Sequence, residues 1–359
     1  MIKSVYIHVP FCKTICSYCD FCKIYYNNIV SRYLDELENE IKKKYKGEII
    51  DTIYIGGGTP STLSIKELTK LFNIIKIIKV SKALEFTVEA NIEDLNEEKL
   101  QFLLQKGVNR LSIGIQTFNK KNILFLNRTC NKKEVFKKIK LARKIGFNNI
   151  NIDLIYAIPN QTLRELKKDL RLALKLNIEH ISTYSLIIEP NTLLYINKTK
   201  NIDEDLDYKM YQTIKKKLEK YKNYEISNFA KKGYESKHNL TYWNNLEYYG
   251  FGLGASGYIN GVRYENTRGI NNYLKGKYVY ESHKVSKKEK LENEFILGFR
   301  KIEGINKENF KEKYGNIKNH KIINDLIKTR ELLENDTNIY INPEYIYTSN
   351  RILSKFIDS

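Results

Sequence analysis

Short runs of β-branched and aromatic residues alternate with longer amphipathic stretches through the first half of the chain. In the longer stretches, such as residues 64–79 and 162–175, apolar residues recur at helical spacing. The short runs have the length and composition of buried strands, and six are predicted: residues 5–9, 52–56, 85–90, 110–115, 149–155 and 180–186. Strands that alternate with helices in this way predict βαβ units and a parallel sheet.

Six such units predict an α/β protein built on a partial (β/α)6 TIM-like barrel, with a doubly wound sheet as the alternative. In both folds, the functional site lies at the carboxyl ends of the strands. After Pro190 the pattern changes to a helix over 203–220, a stretch rich in Tyr, Gly and Asn over 221–285, and Lys/Glu-rich helices beyond. We therefore expect a barrel in residues 1–200, an extension in 201–285, and a small helical, winged-helix-like module in 286–359.

Composition narrows the class of protein without identifying a ligand. The chain has 359 residues and a formal net charge of +19, and 42% of its residues are hydrophobic. Its first residues do not resemble a signal peptide, and no run of about 18 apolar residues occurs, so we expect a cytoplasmic protein. The lysines are spread over the predicted helix faces and do not form one stripe, so nucleic-acid binding is not expected.

Four of the five cysteines follow the first predicted strand closely, at Cys12, Cys16, Cys19 and Cys22, and the fifth is Cys130. Such clustering in a chain without a targeting signal favours metal binding over disulfides. The first three thiolates can hold three irons of a 4Fe–4S cube and leave the fourth iron open to an outside ligand. The alternatives are a zinc knuckle and a closed electron-transfer cluster that uses Cys22 as its fourth ligand.

Further polar or glycine residues lie at or just beyond the ends of successive predicted strands. A glycine-rich loop, GGGTP at 56–60, follows the second strand, and glycines allow backbone N–H groups to approach a small charged ligand. Glu89 and Asp153 lie within apolar strand runs, where a charge is costly to bury without a partner. Gln116 and Arg128 complete the series. Each of these polar side chains also has an ordinary alternative role, in helix capping or in a salt bridge.

The residues around the cysteine triplet, YIHVPFC at 6–12 and YCDF at 18–21, resemble the coproporphyrinogen dehydrogenase (HemN-like) branch of the radical-SAM superfamily. This resemblance implies a 4Fe–4S cluster on the triplet, with S-adenosylmethionine (SAM) on the open iron as the source of a 5′-deoxyadenosyl radical. It implies SAM-binding roles for Tyr6, Tyr18, Phe21, Gly57, Gly58, Thr59, Glu89, Gln116, Arg128 and Asp153. Within this set, Gly58, Thr59, Gln116, Arg128 and Asp153 match a second SAM site of the dehydrogenases, and whether a second molecule binds here stays open. The chain departs from the family at Cys130, where a histidine is usual.

Within that branch, the chain is more similar to the HemW haem-chaperone family. Only 11 residues precede Cys12, Phe21 stands where the dehydrogenases have a fourth cysteine, and residues 225–243 contain an HNxxYW element. The resemblance implies that haem is contacted by His238, Asn239, Tyr242 and Trp243. Imidazole is a good axial ligand for haem iron, and aromatic rings offer flat faces to a porphyrin. The alternatives are a hydrogen-bonding role for His238 at a domain junction and a core position for Trp243.

The first functional hypothesis is a haem chaperone that binds haem as cargo and delivers it to haemoproteins, including respiratory ones. Its expected partners are haem or a porphyrin, the recipient haemoproteins and an electron donor, while a homodimer and a transient contact with a membrane surface are left open. The alternative is an oxygen-independent coproporphyrinogen III oxidase (dehydrogenase) of porphyrin biosynthesis, so the sequence leaves undecided whether the chain is an enzyme. A closed-cluster electron carrier is a third hypothesis.

Overall fold

A computed structural model describes residues 1–357, so the last two residues of the predicted 286–359 module lie outside the described residues. The strands are β1 (Ser4–Val9), β2 (Phe11–Cys12), β3 (Ile24–Tyr25), β4 (Ile50–Gly57), β5 (Val80–Asn91), β6 (Arg110–Gln116), β7 (Ile150–Tyr156), β8 (His180–Ser185), β9 (Lys222–Asn223), β10 (Asn228–Ala230), β11 (Tyr249–Phe251), β12 (Ser256–Ile259), β13 (Val262–Asn266), β14 (Val279–Lys284), β15 (Ile305–Asn306), β16 (Leu332–Glu334) and β17 (Asn338–Ile341). The helices are α1 (Val30–Lys44), α2 (Ile65–Ile75), α3 (Glu97–Gln105), α4 (Lys120–Phe125), α5 (Lys132–Ile145), α6 (Leu163–Lys175), α7 (Leu193–Ile196), α8 (Glu204–Lys217), α9 (Lys237–Trp243), α10 (Ile270–Tyr273), α11 (Lys287–Gly298), α12 (Lys307–Tyr314), α13 (Lys321–Lys328) and α14 (Ser349–Leu353).

Six parallel strands form the centre of a nine-stranded sheet, in the order β1-β4-β5-β6-β7-β8. Each of them overlaps one of the six runs that the sequence predicts to be strands. Helices connect successive strands, so the chain has the predicted α/β fold of the partial TIM-like type, and that prediction is confirmed. The carboxyl ends of all six strands lie at one end of the barrel, where the sequence places the candidate site.

Side-chain alternation along the strands gives the barrel a polar interior. Ile53 and Ile55 of β4 are buried in the main hydrophobic core together with helix residues such as Leu34 and Leu71. Thr52 and Tyr54 alternate with them and therefore point to the opposite face, inside the barrel. The outer face of the sheet is covered by helices, while the inner face is available for a ligand or for hydrogen bonds within the protein.

Local sequence signals set the beginnings of the helices that flank the sheet. Ser64 and Glu67 form a capping box at the start of α2, and Thr162 and Glu165 form another at the start of α6. In each box, the two side chains accept backbone N–H groups that lack partners in the first helical turn. The helices therefore begin where the amphipathic stretches of the sequence begin.

The extension completes the central sheet at both of its edges. Strand β11 pairs in parallel with β1, and β10 pairs antiparallel with β8 and with β9. The sheet therefore crosses the predicted boundary near residue 200, and the division into three regions stays a prediction. Helix α9 joins these edge strands in sequence and contacts β4 at the amino end of the barrel.

The C-terminal region carries the predicted small module, with a three-stranded sheet in the order β15-β17-β16 and helices α11 to α14. Its core is aromatic, since the rings of Phe295, Phe299, Phe310 and Phe356 pack on one another with centroids 4.9 to 6.2 Å apart. Within residues 1–357, no helix combines the length and the apolar character needed to span a bilayer.

Candidate functional site

A cavity of about 1200 Å³, counting its open mouth, lies at the carboxyl ends of the parallel strands. The loop after β1, the loop after β4 and the ends of β5 to β8 form its wall. The structure brings together the cysteine triplet and every predicted SAM residue except Tyr6. These lining residues are Cys12, Cys16, Cys19, Tyr18, Phe21, Gly57, Gly58, Thr59, Glu89, Gln116, Arg128 and Asp153.

The three thiols of the triplet face this cavity with polar partners beside them. The Cys12 Sγ lies 3.7 Å from Thr59 Oγ1, and the Cys16 Sγ lies 3.7 Å from Arg128 Nη1. Burial raises the pKa of the Cys12 thiol to about 11, although the Thr59 hydrogen bond opposes that shift, and burial also raises the pKa of Cys19. Iron binding must therefore displace these protons, since thiolates are the metal ligands.

The other two cysteines point away from the cavity. Cys22 packs against Gly254, and its Sγ lies 3.9 Å from the carbonyl oxygen of Arg268. The Cys130 Sγ is buried 3.6 Å from the carbonyl oxygen of Ile115. In the part of the chain that the structure describes, no three His, Cys, Asp or Glu side chains converge as ligands of a single metal ion. A 4Fe–4S cube does not need such convergence, because each thiolate binds a different iron.

A chain of hydrogen bonds connects the loop that carries Cys12, Cys16 and Cys19 (the cluster loop) to the carboxyl ends of the strands. Arg128 donates from Nη1 to Asn91 Oδ1 at 2.7 Å and from Nη2 to the Gly114 carbonyl at 2.8 Å. Asn91 in turn donates from Nδ2 to Thr59 Oγ1 at 3.0 Å. Asn91 is not among the residues predicted from the sequence, although it lies two residues after Glu89 and hence on the same face of β5.

Glu89 is held at two points near the centre of the cavity wall. Its Oε1 accepts from the Tyr54 hydroxyl at 2.7 Å, and its Oε2 accepts from the Gly57 backbone N–H at 3.1 Å. Burial raises the pKa of Glu89 to about 7, and the charge of Asp153 adds to the rise. Burial likewise raises the pKa of Asp153, whose carboxylate accepts from Asn151 at 2.9 Å. A cationic ligand group would favour the ionised form of either acid.

The glycine loop fits tightly against the strand that leads to the cluster loop. Gly57 has φ of +115°, a conformation that L side chains rarely adopt. A Cβ at Gly58 would approach the carbonyl carbon of Pro10 to 2.6 Å, and one at Gly57 would meet the His8 ring at 2.7 Å. The two loops therefore form one surface, and the glycines keep backbone rather than side chains at the wall of the cavity.

Gln116 closes β6 with a strained backbone. Its φ is +68°, unusual for a residue other than glycine, and the register between β6 and β7 shifts at this point. Strained residues of this kind persist where the surrounding structure holds them, often at ligand sites. Here the strain directs the end of the strand into the cavity wall, where the sequence predicts a ligand contact.

Tyr6 lies below the cavity and reaches the cluster loop indirectly. Its hydroxyl donates to His8 Nδ1 at 3.0 Å, and His8 Nε2 donates to the Cys22 carbonyl at 2.7 Å. Burial lowers the pKa of His8 to about 4, so the ring is neutral and can serve in both bonds. His8 belongs to the YIHVPFC run but is not among the predicted site residues, because a histidine in a strand is usually part of the core. The SAM-binding role of Tyr6 stays a prediction.

The HNxxYW element lies at the opposite, amino end of the barrel, on α9. His238 is only 1% exposed, with Nδ1 2.9 Å from Thr52 Oγ1 and Nε2 2.8 Å from the Tyr242 hydroxyl. Tyr242 and Trp243 are half-buried, and the guanidinium of Arg300 lies 5.5 Å from the centre of the Trp243 ring. Asn239 is half-buried on the same helix. The four predicted haem residues are thus together but not beside the cysteines, and the two ring nitrogens of His238 have partners within the protein.

Comparison with known proteins extends these observations to the whole chain. Residues 6–173 match the family model of the radical SAM superfamily. The protein named heme chaperone HemW from Bacillus subtilis (strain 168) is 41% identical over 99% of this chain and 99% of its own length. The protein of the same name from Escherichia coli (strain K12) is 33% identical over 84% of this chain and 83% of its own.

Among solved structures, coproporphyrinogen III oxidase (HemN) from Escherichia coli, described as a radical SAM enzyme, is similar with a TM-score of 0.86. That match covers 99% of this chain and 90% of the other at 21% identity, so it shows the fold alone. The sequence relatives decide the family, and they confirm the resemblance that the motifs indicate. Membership of the superfamily implies a 4Fe–4S cluster and SAM as cofactors. The chain belongs to the HemW family of the radical SAM superfamily.

Proposed function

We propose that this protein is a radical-SAM-type haem chaperone, which binds haem and delivers it to haemoproteins. The observation that carries this proposal is the 41% identity to a protein named heme chaperone HemW over 99% of both chains. That match includes the extension with the HNxxYW element as well as the barrel. A likeness confined to the barrel would have supported only the cofactor site.

The cavity suits the two cofactors that the superfamily implies. Cys12, Cys16 and Cys19 would hold three irons of the cluster, and Gly57 and Gly58, which have no side chains, leave room for SAM beside them. The bound cluster supplies single electrons, and SAM supplies a group that accepts one. Arg128 Nη1 lies 3.7 Å from the Cys16 sulfur, and within residues 1–357 the buried Nε of the same guanidinium has no hydrogen-bond partner.

The chain's own residues position and neutralise what enters the cavity. Glu89 presents a carboxylate whose two oxygens are already fixed by Tyr54 and Gly57, so little ordering is required when a cationic group arrives. Arg128 opposes the negative charge that the thiolates acquire on iron binding. Tyr18 and Phe21 offer aromatic faces at the mouth, and Phe21 is 67% exposed, so it is free to pack on an incoming ring.

For haem, the candidates are His238, Asn239, Tyr242 and Trp243. Ligation of iron by His238 requires its ring to leave Thr52 and Tyr242, because the two ring nitrogens are engaged in those contacts. The half-buried rings of Tyr242 and Trp243 would then provide an apolar surface for the porphyrin. Haem capture on this element therefore involves movement of α9.

The proposal also includes partners that the haem would pass to or that the cluster would need. These are recipient haemoproteins, respiratory ones among them, and an electron donor. The formal net charge of +19 favours encounter with acidic protein surfaces and with anionic membrane surfaces. A second copy of the chain is a further candidate partner.

Haem titration of anaerobically reconstituted protein tests the proposal. We expect a haem absorbance band that saturates at a fixed stoichiometry, together with quenching of Trp243, which is the only tryptophan. Horse-heart apomyoglobin, added afterwards, should gain haem from the loaded protein faster than haem dissociates in buffer. An unchanged spectrum on titration would contradict the proposal.

The matched assay for the alternative enzyme is anaerobic conversion of coproporphyrinogen III to protoporphyrinogen. Sustained turnover by the reconstituted protein, in the absence of haem binding, would replace the chaperone proposal with the dehydrogenase. Because Cys130 stands where the resemblance leads us to expect a histidine, we expect no turnover.

A further inference from the structure

Helix α9 closes the amino end of the barrel through polar contacts with three strands. The Glu85 carboxylate of β5 accepts from the backbone N–H groups of Lys237 and His238, at 3.1 and 3.0 Å. The Thr241 hydroxyl lies 2.7 Å from the Ser4 hydroxyl of β1. Thr52 of β4 contacts the His238 ring, as described above. These bonds fix both turns of α9 against the inner face of the sheet.

From this position, the His238 ring extends into the barrel and packs on Tyr54. The two ring centroids are 5.1 Å apart with an angle of 28° between the planes, which is a stacked arrangement. The Tyr6 ring lies 6.5 Å from His238 and 6.1 Å from Tyr54, so it is the third ring of the group. Burial and the charge of Arg110 lower the pKa of His238 to about 3, so the ring is neutral in this stack.

Tyr54 connects this stack to the cofactor cavity. Its ring faces His238 on the amino side, and its hydroxyl donates to Glu89 Oε1 on the carboxyl side at 2.7 Å. The other oxygen of Glu89 accepts from the backbone N–H of Gly57. The loop that contains Gly57 packs against β1, which leads into the cysteine triplet. The position of the Glu89 carboxylate therefore depends on the orientation of Tyr54, and that orientation depends on the ring beneath it.

We propose that His238 is a positioning residue for the SAM site: its ring holds Tyr54 beneath Glu89, so that capture of haem by His238 and retention of SAM at Glu89 oppose each other. The second half of this proposal rests on the proposed haem function, whereas the first half concerns only the protein and SAM. Withdrawal of the ring leaves a gap beside Tyr54, and Glu89 then loses a fixed donor. By linkage, bound SAM must weaken haem binding by the same factor by which haem weakens SAM binding.

SAM affinity is the measurement that tests the positioning role, using equilibrium dialysis on the anaerobically reconstituted full chain. His238→Ala removes the stack and is expected to weaken SAM binding about tenfold, within the usual range of coupling between sites. His238→Phe restores a flat ring without a ligating nitrogen, and SAM affinity should return to within about threefold of wild type. Wild-type SAM affinity in His238→Ala would overturn the proposal.

A second variant tests the link from Tyr54 to Glu89, on which the proposal depends, if His238→Ala fails to keep its cluster. Tyr54→Phe retains the ring but removes the hydroxyl that Glu89 accepts from, so SAM binding should weaken about tenfold while iron content stays normal. The spectroscopic sign is a reduced shift of the cluster's electron paramagnetic resonance spectrum on addition of SAM. A full shift and full affinity in Tyr54→Phe would also overturn the proposal.

Measurements with haem distinguish failure of the positioning role from failure of the proposed haem function. Wild-type protein should bind SAM about tenfold more weakly when saturated with haem, and His238→Phe should lose haem while it keeps SAM. If the wild type binds no haem, or if His238→Phe binds it normally, the haem assignment of His238 fails and the positioning role is still decided by the SAM measurements. If haem binds through His238 and leaves SAM affinity unchanged, the opposition between the two ligands is wrong.

Discussion

The two ends of the barrel use polar side chains in opposite ways. At the carboxyl end, Glu89, Arg128 and the three thiols border an open cavity. At the amino end, Glu85, Thr52 and Ser4 have a helix as their partner, and α9 fills the space that a ligand would occupy. A polar barrel interior is therefore not by itself a sign of a binding site, because at the amino end its polar groups are bonded to α9.

The largest expected effect separates the cysteines that face the cavity from those that do not. Cys12→Ser, Cys16→Ser and Cys19→Ser should each lose nearly all cluster iron after anaerobic reconstitution, because a hydroxyl is a poor substitute for a thiolate ligand. Cys22→Ser and Cys130→Ser are the controls, and they should retain wild-type iron and absorbance. A Cys22→Ser protein without a cluster would show that the cavity-facing triplet is not the whole ligand set.

The next effect concerns the buried carboxyl at the open end. Burial raises the pKa of Glu89 from 4.5 to about 7, so between these values the folded protein holds a proton that the unfolded chain has released. The Glu89 contribution to the free energy of unfolding therefore falls as pH rises across this window, by roughly 3 kcal/mol in total. Glu89→Gln should remove that part of the fall, as measured by urea unfolding at several pH values.

The control for this measurement is Glu219→Gln, which changes an exposed carboxylate. It should keep the wild-type dependence of stability on pH. A Glu89→Gln protein with an unchanged dependence would show that Glu89 ionises normally, and the contrast between the two ends of the barrel would then not include this acid.

A smaller effect is expected at the closed end. Glu85→Gln keeps one acceptor oxygen but loses the negative charge at the start of α9, so the protein should lose roughly 1–2 kcal/mol of unfolding free energy. Cluster iron should be unaffected, since Glu85 does not line the cavity. Urea unfolding and iron analysis measure the two quantities. Loss of iron without loss of stability would contradict the separation of roles.

The smallest effects distinguish two neighbouring aromatic residues of α9. Tyr242→Phe removes the hydroxyl that contacts His238 Nε2 and should cost about 1 kcal/mol of unfolding free energy, because a buried polar atom loses its partner. Trp243→Phe should cost less than about 1 kcal/mol, since a ring remains beside Arg300 and, within residues 1–357, the Trp243 Nε1 has no hydrogen-bond partner to lose. Thermal unfolding of the two variants gives the order, and the reverse order would be inconsistent with the described bonds.

Much of the structure at the open, carboxyl end of the barrel can be predicted from local sequence. The six strands have short apolar runs with clear boundaries, and residues such as Glu89 and Asp153 stand out because a charge in such a run needs a reason. The spacing of the cysteine triplet likewise predicts three ligands of a 4Fe–4S cluster. Since parallel strands end at one edge, the sequence predicts that these residues gather, and the structure shows that they do.

The packing at the closed, amino end of the barrel cannot be predicted from local sequence in the same way. Helix α9 is short, and its target is a polar surface from strands far away in the chain, so periodicity gives no sign of where it packs. The pairing of Tyr54 with both His238 and Glu89 depends on that placement. For the HNxxYW element, the sequence leaves open a haem ligand or a hydrogen-bonding role for His238. The structure buries the imidazole among hydrogen-bond partners, and the haem role stays a prediction.

The pairing of β1 with β11 bears on how the protein is made. Val5 pairs with Tyr249, so the strand that leads into the cysteine loop completes its hydrogen bonds only after most of the chain has left the ribosome. At about 5–20 residues per second, that delay is on the order of tens of seconds. During this interval the nascent chain has an unpaired sheet edge next to its reactive thiols, which is a risk for aggregation and for oxidation.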